Sequence, residues 1–112
     1  MAMQPDVLRY KKDFDRLYRK GRKAADKYMI VFAVPNGLAY RRKAFLASKK
    51  VGGAVFRNRA RRLLKESYRL LASEIKDGMD VLFVARASIT EAKCPDVMAS
   101  MKKTLGKSGL LR

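Results

Sequence analysis

The segment from Ala54 to Ala72 constrains the fold most, because its two sides need different surroundings. At about 100° of rotation per residue, its apolar side chains gather in one sector and its basic side chains lie opposite. The apolar sector contains Phe56, Ala60, Leu63, Leu64, Leu70 and Leu71. The opposite side contains Arg57, Asn58, Arg61, Arg62, Lys65 and Arg69. We therefore expect a long helix that buries one face in a core and presents the other to an anionic partner.

Five shorter segments supply the layers that this helix needs. They are helices over Asp13–Lys20 and Asp96–Leu105 and strands over Tyr28–Val34, Lys43–Ser48 and Asp80–Arg86. Asp13 can cap the first helix and Gly21 can end it. The second strand is expected to run antiparallel to the first, and the apolar third strand to lie inside the sheet. The order α-β-β-α-β-α predicts an α+β fold.

The chain is short enough to form one domain only. Its 112 residues predict a single domain over 1–112, in which 1–7 and 106–112 are flexible ends. No apolar run approaches the roughly 20 residues that span a bilayer. We expect neither a membrane partner nor an obligate protein partner.

The charge distribution indicates a nucleic-acid partner. The formal net charge is +17, and the 39 residues between Asp26 and Glu66 include 11 Lys and Arg but no Asp or Glu. Such an uncompensated cationic surface is typical of proteins that bind a polyanion. A helix lying on an anionic membrane is the weaker alternative, because the strands need its leucine-rich face for their own core.

The residues that the chain lacks exclude most protein-based catalysis. It has no histidine, and Cys94 is its single cysteine. Histidine-based acid–base chemistry and an intrachain disulfide are therefore impossible, and the composition suits the reducing cytoplasm. Capping or turns explain the acidic pairs Asp13 with Asp15 and Asp77 with Asp80, so we expect neither a metal site nor a protein active site.

The stretch from Ser48 to Glu66 carries the most specific chemistry. Two lysines precede a glycine turn, and a helix then opens with Arg57-Asn58-Arg59. Free N–H groups at a helix N-terminus and arginine forks both suit phosphate. Arg57, Arg61 and Lys65 recur every four residues and therefore form one stripe. The bland alternative is a solvated amphipathic helix.

This stretch also identifies a family. Ser48-Lys49-Lys50-Val51-Gly52, Ala54-Val55, Arg57-Asn58-Arg59 and Arg61-Arg62 closely resemble the signature of the protein subunit of bacterial ribonuclease P. The resemblance extends from Leu8 to about Leu105. It implies a single-domain α/β sandwich with a mixed sheet packed with helices, ribosomal-protein-S5-domain-2-like. Within that fold it implies a left-handed βαβ crossover, although such units are right-handed in roughly 98% of cases.

The resemblance also implies partners and site residues. The family protein binds a catalytic RNA subunit and the 5′ leader of precursor tRNA, and the complex removes the leader by endonucleolytic cleavage. The active site and its Mg²⁺ ions belong to the RNA. The implied RNA-subunit-binding residues are Lys49, Lys50, Arg57, Asn58, Arg59, Arg61, Arg62 and Lys65. The implied leader-binding cleft contains Phe14, Tyr18 and Phe32.

Two alternatives stay open on the sequence alone. A non-catalytic RNA-binding protein, such as a ribosomal protein, would have the same basic surface. The three aromatic residues could be ordinary core, although basic grooves with aromatic platforms are typical of proteins that hold single-stranded RNA. Gly53 stands where the family often has Asn, so this position is not counted as a ligand.

Overall fold

Four strands and three helices make up the fold in a computed structural model that describes residues 6–112. The strands are β1 (Arg22–Ala25), β2 (Met29–Pro35), β3 (Arg42–Leu46) and β4 (Met79–Ala85). The helices are α1 (Lys11–Lys20), α2 (Ala54–Leu71) and α3 (Cys94–Lys107). All six elements predicted from the sequence are present, and β1 is an additional strand. The α+β fold class is confirmed.

The sheet is mixed, with strand order β1-β2-β4-β3. β4 pairs antiparallel with β2 and parallel with β3, so it occupies the interior position that its apolar run predicts. β3 therefore runs antiparallel to β2, as expected, but β4 lies between them. The parallel β3–α2–β4 connection is the βαβ unit that the resemblance implies.

The two faces of the sheet have separate cores. On one face, Val31 and Phe83 are fully buried beneath α2 and α3, together with Leu64 and Met101. On the other face, Leu17 of α1 is buried among Leu8, Ala44 and Leu82. Strand residues alternate between the faces, so successive residues of β2 and β4 belong to the two cores in turn. The result is a sandwich with helices on both sides of the sheet.

Two residues of the expected apolar sector of α2 do not join the core. Ala60, Leu64 and Leu71 are buried as expected, but Phe56 is 53% exposed and Leu70 is 45% exposed. Phe56 lies in the first turn of α2, where its ring packs beside the backbone of Gly52. Leu70 lies one residue, or about 100°, around the helix from buried Leu71. The buried stripe is therefore narrower than the sequence predicts.

The start of the first helix also differs from the prediction. Tyr10, not Asp13, occupies the cap position of α1, whereas Gly21 ends the helix as expected. Within residues 106–112, Leu110 is 2% exposed and its carbonyl accepts from the Lys76 N–H. At the other end, the Asp6 carbonyl accepts from the N–H of Lys43 in β3, and residues 1–5 lie outside the described residues.

Candidate RNA interface

The signature stretch folds as a short 3-10 turn, a glycine reversal and the first turns of α2. The Ser48 hydroxyl accepts a hydrogen bond from the Lys50 N–H, which begins the turn Lys49–Val51. Gly52 follows with φ of 134°, a conformation that side chains with a Cβ rarely adopt. This reversal buries Val51 while both lysines stay exposed.

Basic side chains continue along the outer face of α2. Asn58, Arg62 and Lys65 are exposed, and Arg57 and Arg61 are half-buried. The Arg61 guanidinium donates to the side-chain oxygen of Asn58, which links two of the predicted residues. No acidic residue lies in the first turn, so the partial positive charge of the helix N-terminus adds to that of the side chains. These residues form one cationic face suited to phosphates.

Arg59 differs from its neighbours on α2. Its guanidinium donates to the carbonyl oxygens of Thr90 at 3.3 Å and Ala92 at 2.8 Å. These bonds tie α2 to the loop after β4, and Ala92 is itself buried. Arg59 therefore holds the fold at this point instead of extending the exposed cationic face.

Two of the three predicted leader-binding aromatics are in direct contact. The Tyr18 ring on α1 meets the Phe32 ring on β2 edge to face, with centroids 5.0 Å apart. Tyr18 is 50% exposed, so the interpretation of this residue as ordinary core is wrong. The Lys23 ammonium lies 5.8 Å from the Phe32 ring centroid, within cation–π range. Lys23 cannot be identified from the sequence, because no strand is expected at β1.

Apolar residues in one row of the sheet extend this aromatic surface. Ile30, Val84 and Leu46 are register partners across β2, β4 and β3, on the same face as Phe32. Leu46 is 37% exposed, and the other two are half-buried. Only the alternation within β2 pointed to Ile30 in the sequence, because the partners of Val84 and Leu46 depend on the strand order.

The third aromatic residue, Phe14, lines a separate cavity of 620 Å³ at the outer edge of β3. The same cavity is lined by Arg61 and Lys65 of α2. The structure thus brings one predicted leader-binding residue and two predicted RNA-subunit-binding residues to a single hollow. Phe14 itself is half-buried against the small core beneath α1.

A buried carboxylate fixes α1 to the sheet beside these surfaces. Asp80 in β4 is fully buried and accepts hydrogen bonds from Arg42 of β3, Arg16 of α1 and Asn36 of the turn after β2. Burial raises the pKa of Asp80, but the hydrogen bonds from Arg42 and Asn36 outweigh it and hold the pKa below its ordinary value. This cluster determines where α1 lies relative to Phe32.

The described residues contain neither a metal-ligand cluster nor a membrane-spanning helix. Within residues 6–112, no three His, Cys, Asp or Glu side chains come close enough together to hold a metal ion. No helix in this part of the chain has the length and apolar character required to cross a bilayer. Cys94 is half-buried and unpaired at the start of α3.

Comparison with known proteins places this geometry in a family. The family model described as Ribonuclease P matches residues 3–109. The "Ribonuclease P protein component" of Caldanaerobacter subterraneus subsp. tengcongensis is 42% identical over 103 residues, which cover 92% of this chain and 89% of that protein. The RNase P protein of Thermotoga maritima superposes with a TM-score of 0.81 at 25% identity, over 90% of this chain and 96% of that one. That of Staphylococcus aureus gives a TM-score of 0.86 at 24% identity, over 97% and 100%. From the signature helix, the fold and these matches together, the chain belongs to the ribonuclease P protein family.

Proposed function

We propose that α2 binds the catalytic RNA subunit of ribonuclease P and that the Tyr18–Phe32 surface binds the 5′ leader of precursor tRNA. Membership of the family makes the chain a subunit of the endoribonuclease that processes this leader. The observation that carries the proposal is the exposed cationic face of α2. Phosphate neutralisation by such a face dominates the affinity of proteins for nucleic acids.

The residues proposed for the RNA subunit are six Lys and Arg of the signature stretch whose side chains are exposed or half-buried, together with the neutral amide of Asn58. They are Lys49, Lys50, Arg57, Asn58, Arg61, Arg62 and Lys65, without Arg59. Arg59 is omitted because its guanidinium already donates to two backbone carbonyls. Arginine forks suit paired phosphate oxygens, and Asn58 offers an amide to a base edge or a 2′-hydroxyl.

The leader is proposed to lie along the sheet face beside α1. Single-stranded RNA exposes base faces that stack on aromatic rings, and this contact tolerates any base. Tyr18 and Phe32 offer two rings in van der Waals contact, and Lys23 supplies charge above one of them. A mature tRNA has no leader, so this surface would distinguish the substrate from the product.

Hydrolysis is proposed to take place on the RNA subunit, whose bound Mg²⁺ ions would activate the attacking water. The protein's share is to bind and orient the two RNAs. Its buried carboxylate Asp80 is neutralised by Arg42 and Arg16, an arrangement that suits a structural role. Such a complex would work in the cytoplasm without another protein or a membrane.

One experiment tests the proposed function directly. The protein is added to a bacterial catalytic RNA subunit and precursor tRNA at low Mg²⁺, and cleavage at the mature 5′ end is measured. We expect faster cleavage with the protein than with the RNA alone, and no cleavage by the protein alone. Binding of both RNAs without any stimulation would instead support the alternative of a non-catalytic RNA-binding protein.

A further inference from the structure

The cavity at the outer edge of β3 has the size and the walls of a ligand pocket. Its volume of 620 Å³ falls within the range of about 300–1,000 Å³ typical of small-molecule sites. Half-buried aromatic side chains from three elements line it, namely Phe14, Phe45 and Tyr68. The Phe45 ring is held nearly parallel to Phe83 at 5.4 Å, and Tyr68 packs edge-on against Phe45. These rings form a rigid apolar wall.

The mouth of this cavity is basic. Lys43, Arg61, Lys65 and Arg69 all line it. Three of these groups already have a partner, since Lys43 pairs with Asp6, Arg69 with Glu66 and Arg61 with Asn58. The Lys65 ammonium makes no hydrogen bond or ion pair with another residue in the described range 6–112. A ligand that combines a flat apolar part with a nearby negative charge therefore fits this site best.

The backbone of β3 adds hydrogen-bonding groups to the wall. The N–H and C=O of Lys43 bond to Asp6 and Leu8 at 2.9 Å each, so they point to the outer edge of the sheet. Because the N–H and C=O groups of a strand alternate between its two edges, those of Phe45 point to the same edge as those of Lys43. They lie beyond the bridge between Val7 and Lys43. Unpaired edge groups of this kind readily accept a ligand that offers both a donor and an acceptor.

We propose that this cavity takes one unstacked nucleobase of the catalytic RNA subunit. The base lies against Phe45 and Tyr68, its edge faces the Phe45 backbone, and its phosphate meets Lys65. This assignment rests on the proposed function, because Arg61 and Lys65 belong to the cationic face of α2. Phe14 and Leu46 line the cavity too, but the RNA subunit is favoured over the leader because Arg61 and Lys65 of α2 lie at the cavity and neither Tyr18 nor Phe32 does.

Mononucleotides test the chemistry of the site without the large RNA. Adenosine monophosphate is titrated into the full chain, with ribose 5-phosphate as the matched ligand that lacks the base. We expect the nuclear magnetic resonance signals of the Val7, Leu8 and Leu46 methyl groups to shift with the nucleotide only. Equal shifts with both ligands, or none with either, would overturn the proposal.

A cavity-filling variant tests the partner. Ala72 lines the cavity and is half-buried, so the ring in Ala72→Phe should occupy the cavity. Ala99→Phe, at an exposed position of α3, is the matched control. We expect Ala72→Phe to weaken binding to the RNA subunit at least about fivefold, the lower end of the range for one stacked base. The Ala99→Phe control should bind the RNA subunit as the wild type does, and Ala72→Phe should leave the precursor-to-mature tRNA affinity ratio unchanged. Melting curves verify that both variants are folded.

The outcomes separate the two proposals. If the wild-type protein neither binds the RNA subunit nor stimulates cleavage, the proposed function fails. If the wild type does both and folded Ala72→Phe binds the RNA subunit normally, the base-binding proposal alone is overturned. A selective loss of precursor tRNA binding in Ala72→Phe would also overturn it, because the cavity would then belong to the leader.

Discussion

Arg42 holds Asp80 through two hydrogen bonds, 2.7 Å from Nε to one carboxylate oxygen and 2.6 Å from Nη2 to the other. The two residues are register partners in adjacent parallel strands. Arg16 reaches the same carboxylate from α1 at 2.6 Å. One buried acid therefore fixes the position of the helix that presents Tyr18, although the acid itself lies in the sheet.

Replacing this acid should destabilise the whole fold. Asp80→Asn removes the charge that compensates Arg42 and Arg16, and breaking a buried ion pair costs about 3–5 kcal/mol. We expect the free energy of unfolding to fall by about 3 kcal/mol, at the lower end of this range, because both arginines keep some access to water. Urea unfolding measures it, and Asp15→Asn, at an exposed pair with Lys11, is the control. Equal stability of the two variants would contradict the assigned role.

The same carboxylate predicts how stability depends on pH. The folded pKa of Asp80 is lowered, so its contribution is complete above the unfolded pKa of about 3.9 and is lost as the pH falls through the folded pKa. The pKa of Asp6 is lowered as well, chiefly by its hydrogen bond from Lys43, and acts in the same direction. Unfolding free energies of wild type and Asp80→Asn should converge below about pH 4. Parallel curves would show that Asp80 is not the titrating group.

Removing charges from α2 should weaken RNA binding without loss of fold. Arg57→Ala, Arg61→Ala and Lys65→Ala lie on the outer face, where substitutions usually change stability by less than about 0.5 kcal/mol. Each lost phosphate contact should reduce the log–log salt dependence of RNA-subunit binding by roughly 0.7–0.9. Lys103→Ala, at an exposed position of α3, is the control and should keep the wild-type affinity and slope. Unchanged affinity and slope in all three variants would mean that the face is merely solvated.

Removing an aromatic ring should affect the precursor and not the mature tRNA. Tyr18→Ala should reduce the precursor-to-mature affinity ratio at least about fivefold, because stacking contributes about 1–3 kcal/mol per base. Phe32→Ala should do the same and also lower the melting temperature, because Phe32 is half-buried. Tyr40→Ala, at a ring 42% exposed in a loop, is the control. A constant ratio with reduced melting temperatures would mean that both rings support the fold and do not hold the leader.

Arg59 should behave unlike its neighbours on α2. Arg59→Ala removes two hydrogen bonds to the carbonyls of Thr90 and Ala92, and bonds to charged groups contribute about 1.5–3 kcal/mol each. We expect a clearly lower unfolding midpoint, whereas exposed Arg62→Ala should keep the wild-type value. If Arg59→Ala instead kept its stability and lost RNA affinity, Arg59 would be a direct RNA contact.

The sequence predicts which segments form helices and strands better than it predicts which strands lie side by side. The periodicity of α2 and the apolar run of β4 are local properties, so both appear where expected. β1 escapes prediction because Arg22–Ala25 is short and has no apolar alternation. Local sequence likewise cannot predict that β4 lies between β2 and β3, because β4 comes more than 30 residues later in the chain.

The site is predictable where a motif coincides with an exposed helix face. Charge spacing identifies Arg57, Arg61 and Lys65, but it cannot distinguish Arg59, whose partners belong to a distant loop. Contacts across the sheet, such as Lys23 above Phe32, require the strand order first. Phe56 was expected to be buried because helical angle alone ignores where the helix meets the sheet.

The central place of β4 has a consequence for the order of events during synthesis. β2 and β3 do not pair with each other, and β4 is the strand that joins them; β2 has only β1 as an earlier neighbour in the sheet. Until that strand leaves the ribosome, the nascent chain contains the β1–β2 pair and a long basic stretch that no sheet supports. Because a strand cannot pair before its partner strand has been synthesised, we expect both proposed RNA surfaces to form late and together. The two surfaces proposed to bind RNA would thus become available in one step, once β4 has been synthesised.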